Sequence, residues 1–122
     1  MTPRPAPLEL LDRQLAAATI AHEAAADLHR ELTELGADDD HTRALLKESA
    51  FLALERIPAL ARPLHPPALE WAEQELLDPP AAERTARRLE GDLTELLPAF
   101  AELHARQSQI VVELLDLVGR AR

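Results

Sequence analysis

Residues 80–119, PAAERTARRLEGDLTELLPAFAELHARQSQIVVELLDLVG, decide how this chain is read. Ala86, Leu89, Leu93, Leu96, Leu97, Phe100, Leu103, Val111, Leu114, Leu115 and Val118 recur at helical spacing. They fall within one arc of about 120° on a wheel of about 100° per residue. Glu83, Arg87, Glu90, Glu95, Glu113 and Asp116 take the opposite arc. The pattern predicts one amphipathic helix from Pro80 to Gly119, around which the other helices pack. Asp78 suits its N-cap and the following prolines its first turn. Pro98 lies on the polar side and the stripe keeps its phase across it, so a bend is expected there rather than a break. Gly119 is placed as the residue that ends the helix.

Working outward, Pro67–Leu77 reads as a short helix carrying Trp71. Arg62–Pro67 reads as a break, because Pro63, Pro66 and Pro67 cannot propagate a helix. A second long helix is expected from about Asp39 to Arg62, capped by one of Asp38, Asp39 and Asp40 and kinked near Pro58. Its main stripe is Leu46, Ala50, Ala53, Leu54, Ile57, Leu60, Ala61 and Leu64. Gly36 ends a first helix running from Pro7 to Leu35. Residues 1–6 contain Pro3 and Pro5 and read as a disordered arm, leaving a single helical-bundle domain over residues 7–122. A helix as long as the last one spans about 60 Å, whereas a compact domain of this size has a radius of gyration of about 14 Å. The expected fold is therefore all-α: an elongated antiparallel bundle of three long helices plus one short helix.

Composition agrees. Of 122 residues 47% are hydrophobic but only 2% aromatic, so the core must be built of Leu and Ala, which favours helix over strand. The absence of cysteine removes disulfides, thiolate nucleophiles and Cys-ligated metals. No apolar run approaches a membrane span. A formal charge of −9 opposes binding to a phosphate backbone, and too few aromatics are present to stack bases. A cytoplasmic protein with no membrane and no nucleic-acid partner is expected.

Candidates for chemistry are few. His22 and His29, seven residues apart, share a face of the first helix, and His104 lies on the stripe of the last. Three inward imidazoles meeting in a bundle core have the donor chemistry for a metal. A di-iron centre needs Glu-x-x-His on two helices, and Ala26 and Ala101 stand where those glutamates belong. Structural histidines are therefore favoured, with Gln107 the local candidate partner of His104, His22 or His29 the distant one, and His104→Leu expected to be tolerated or even stabilising. The acidic pairs Glu31/Glu34, Glu70/Glu73, Asp92/Glu95 and Glu113/Asp116 read as solvated faces. No catalytic motif and no cofactor are assigned. Leu45, Phe51, Leu52, Ile110 and Leu117 lie off the main stripes, and Trp71 suits an interface anchor. The expectation is a non-catalytic interaction or adaptor protein that forms a homodimer through its second and last helices. The alternative is a bundle that binds a metal or small ligand through His22, His29 and His104.

Overall fold

The computed structural model describes residues 6–122, and these are all-α. Helix α1 spans Ala6–Glu34, α2 Asp40–Phe51, α3 Ile57–Ala61, α4 His65–Leu77 and α5 Pro79–Ala121. Residues 1–5 of the expected arm lie outside the described residues, and Ala6 already belongs to α1.

The ends of α1 and α2 follow their local chemistry. Gly36 takes a φ of +72°. Its N–H bonds the Thr33 carbonyl at 3.1 Å, and the Ala37 N–H bonds the Leu32 carbonyl at 2.8 Å. These crossed bonds satisfy carbonyls that the helix end would leave open, and Ala37 packs on the apolar cluster containing Leu32. Two residues later Asp39 accepts from the Thr42 N–H at 2.8 Å, while the Thr42 hydroxyl accepts from the Asp39 N–H at 3.0 Å. This reciprocal pair starts α2.

The expected break at Arg62–Pro67 does not occur. After α2 the chain closes a π-type turn over Leu52–Arg56, in which the Ile57 N–H reaches back to the Leu52 carbonyl. Pro58 has no N–H to offer Leu54, and the wider turn absorbs that defect. A 3₁₀ turn, Arg62–Leu64, then links α3 to α4. Pro63 sits in the first turn of that segment, and Pro66 in the first turn of α4, where a missing N–H costs little. The second and short helices are thus joined in one helical run of 38 residues, so three long helices plus one short is not the division found.

α5 continues through Pro98 as one helix of 43 residues, about 65 Å long. Asp78 caps it by accepting from the Ala81 N–H at 3.3 Å. Gly119 does not end it, because the Arg122 N–H still bonds the Val118 carbonyl at 3.2 Å.

Side-chain pairs set the helix directions. His41 meets Glu113 and Glu48 meets Arg106, at sequence separations of 72 and 58, so α2 runs opposite to α5. Gln74–Thr85 and Glu70–Arg88, separated by 11 and 18, do the same for α4. Gln14–His104, Ala18–Gln107 and Glu31–Arg122 keep nearly constant separations of 90, 89 and 91. The first and last helices are therefore parallel, and sequence neighbours alone are antiparallel. An offset of 90 places Ala6 level with Leu96. Beyond that level the N-terminal part of α5 has α4 as its helical neighbour.

Two apolar clusters hold the helices together. One joins Leu8, Leu11, Ile57, Leu89, Leu93 and Phe100, and the other Ala25, Leu32, Leu45, Leu52, Ile110 and Leu114. Along α5 the buried positions are Ala82, Thr85, Leu89, Leu93, Phe100, Gln107, Ile110, Leu114 and Val118, with Leu96 and Leu103 half-buried between them. Their steps of three and four average about 3.6 residues per turn, so one face of the helix stays inward along its length.

Candidate histidine sites and interaction surface

The three candidate metal ligands do not meet. His22 Nδ1 lies 2.9 Å from the hydroxyl of the buried Ser49 on α2. His29 Nε2 lies 2.9 Å from Asp38 Oδ1 in the turn that follows α1. His104 stacks on Phe100 with ring centroids 6.4 Å apart and places Nε2 2.9 Å from the Gln14 carboxamide. The reason is the register of the bundle: His22 meets α2 and His29 the turn before it, whereas His104 meets Gln14 on α1. Among the described residues no group of three or more His, Cys, Asp or Glu side chains is placed to hold a metal.

His104 instead belongs to a polar layer between the two apolar clusters. Gln107, with 1% of its surface exposed, donates its amide N–H to the Ala18 carbonyl at 3.0 Å. The Gln107 carbonyl oxygen lies 3.4 Å from His104 Nδ1 and the Gln14 carboxamide oxygen 2.9 Å from Nε2, and the tautomer of the ring decides which of the two it donates to. The sequence offers Gln107 as a local candidate partner of His104 and His22 or His29 as the distant one; Gln14 takes the distant place instead.

Ion pairs fasten α2 to α5. Arg106 grips Glu48 through Nε and through Nη2, the latter at 2.7 Å, and His41 reaches Glu113 at 2.6 Å. The two guanidinium hydrogen bonds hold the Glu48 carboxyl below the usual glutamate range, with desolvation acting the other way. Glu48 in turn raises Arg106. At Asp38 desolvation acts upward, but hydrogen bonds from His29, Thr42 and Arg43 outweigh it and lower the carboxyl.

Four of the six expected interface residues are used within the chain. Leu45, Leu52 and Ile110 are buried in the Leu32–Leu114 cluster and Leu117 packs against it, so these do not await a second copy. On a wheel of about 100° per residue Ile110 lies at one edge of the buried arc that holds Leu89, Gln107 and Val118, and Leu115 lies beyond the other. Trp71 is half-buried and joins α4 to the Leu89–Leu93 cluster. Phe51 is 53% exposed on the run's outer side.

The surface that remains open is a second seam on α5. Ala101, Ala105, Ser108, Val112, Leu115 and Gly119 are all exposed, all uncharged, and again four and three residues apart. Val112 is 56% and Leu115 55% exposed, although Leu115 reads inward from the wheel. Searching the sequence for uncharged positions at a 3.5-residue period would have found this seam. Ile20, also exposed, sits on α1 level with Ile110.

Comparison with protein-family models, with curated proteins and with solved structures finds no match. No helix among the described residues is long and apolar enough to cross a membrane.

Proposed function

We propose that this chain is a non-catalytic, cytoplasmic helical-bundle protein that acts through protein contacts and pairs with a second copy of itself along α5. The uncharged outward seam of α5 supports this reading. A helix facing only water gains nothing from excluding charge along this line from Ala101 to Gly119, whereas a coiled-coil contact requires it. An antiparallel α5–α5 pair with its twofold axis near Ile110 is self-complementary. It sets Val112 of one copy opposite Ser108 of the other, and Leu115 opposite Ala105, so large residues meet small ones. Glu102 and Arg120 lie on one flank of the seam and come opposite each other between copies.

Sedimentation at micromolar concentration tests the reading. The wild type is expected to be a dimer and Leu115→Glu a monomer with unchanged helical content, because Leu115 is exposed within one chain. Glu102→Arg should weaken the dimer, and adding Arg120→Glu should restore it. A monomeric wild type sinks the proposal.

A further inference from the structure

A groove of about 490 Å³ opens between the first turns of α1 and the junction of α3 with α4. Its volume falls in the range of small-molecule sites. Leu8, Leu11 and Leu15 form one wall, and Pro58 and Ala61 stand opposite. Leu8, Leu11 and Ala61 pack together in the core beneath, and the short proline and alanine side chains facing the leucines leave the groove as a cleft over that cluster. Leu8 to Leu15 covers two turns, about 10 Å, the length of an extended acyl chain of about eight carbons.

The rim is polar and carries Arg62, His65 and Asp12. Arg62 is exposed and has no hydrogen-bond or ion-pair partner among the described residues. Asp12 is already engaged in an interaction of its own. Pro66 and Pro67 supply no backbone N–H at the start of α4, so a bound anion must be recognised by the Arg62 guanidinium and a ring N–H of His65. The chain's charge of −9 does not forbid this, since charges more than about 8 Å away are screened at physiological salt.

We infer that this groove binds an anionic amphiphile, a medium-chain carboxylic acid whose tail lies along Leu8, Leu11 and Leu15 and whose carboxylate pairs with Arg62. Arg62 presents two parallel donors to the two carboxylate oxygens, a geometry that an alcohol or an amine cannot use. Apolar walls supply affinity and the single cation sets the sign of the head group. The site is separate from the outward seam of α5 and does not depend on dimer formation.

The test is calorimetric titration of the full chain with octanoate, octanol, octylammonium and acetate, each below its aggregation concentration. Octanoate is expected to bind best, with acetate and octylammonium undetected. Arg62→Gln should weaken octanoate about tenfold while leaving octanol unchanged. Leu15→Gln should weaken octanoate and octanol alike, since Leu15 is only half-buried; a circular dichroism spectrum and melting curve matching wild type certify each variant's fold. Octanol binding as tightly as octanoate, octylammonium binding more tightly, or Arg62→Gln leaving octanoate unchanged overturns the assignment, and so does the absence of octanoate binding.

Discussion

His104 and Gln107 show what a single side chain decides here. Replacing His104 by Leu takes away the ring nitrogens that face the Gln107 and Gln14 oxygens. An unsatisfied buried acceptor costs about 1–2 kcal/mol, so His104→Leu should lower the melting temperature by several degrees, the reverse of the tolerance its apolar neighbours suggest. The double variant His104→Leu/Gln107→Leu should recover much of that loss, since both partners are then apolar. An unchanged melting temperature in the single variant would show that the layer contributes nothing. Glu48 acts through pH. Its folded pKa is depressed by Arg106, so the pair's stabilisation is complete above the unfolded glutamate value and is lost as pH falls through the folded one. The side chains of Arg106 and Glu48 are 38% and 39% exposed, which limits the effect to under about 1 kcal/mol. Urea denaturation should therefore find Glu48→Gln weaker than wild type at pH 7 and equal to it near pH ~2.

At the scale of the helix, one substitution has opposite signs at two glycines. Gly36 holds a φ of +72°, which an L side chain resists, so Gly36→Ala should destabilise by about 1 kcal/mol. Gly91 is helical, and an added Cβ meets nothing within 4 Å. Gly91→Ala should stabilise by about 0.8 kcal/mol through helix propensity alone. Denaturant midpoints of the two variants test the pair, and shifts of the same sign would contradict it. The π-type turn at Leu52–Arg56 works at the same scale. Inward positions run Thr42, Leu45, Ser49, Leu52 and then Ala53, Ile57, Ala61, Leu64, so two adjacent residues face inward at the turn and the pattern gains one residue. That insertion carries Leu54 to the surface, 67% exposed, although the sequence stripe places it inside.

The whole molecule divides along its length. Where α1, α2 and α5 run together, the core has three sides; where α4 faces the start of α5, it has two. α4 contains no buried residue, and Leu69 and Leu76 project from its outer side. Thin packing lowers the cost of local opening. Amide hydrogen exchange should therefore be at least about tenfold faster in α4 than in the middle of α1 and the second half of α5. Uniform protection along the run from Asp40 to Leu77 would mean that the arm is as firmly packed as the rest.

The sequence by itself determined what depends on neighbours in the chain. Helix content, the Gly36 terminus, an aspartate cap among Asp38, Asp39 and Asp40, the cap at Asp78, and the continuity of the last helix through Pro98 all follow from propensity, local hydrogen bonding and the period of the apolar residues. It also offered Gln107, three residues away, as a local candidate partner of His104. The tertiary structure alone decided which residues meet across helices. The axial offset between α1 and α5 sends His104 to Gln14 and leaves His22 to α2 and His29 to the turn before it, and no local window contains that offset. The neighbouring helices also set which side of the apolar stripe of α5 is covered, so Ile110 lies in the core and Leu115 outside it.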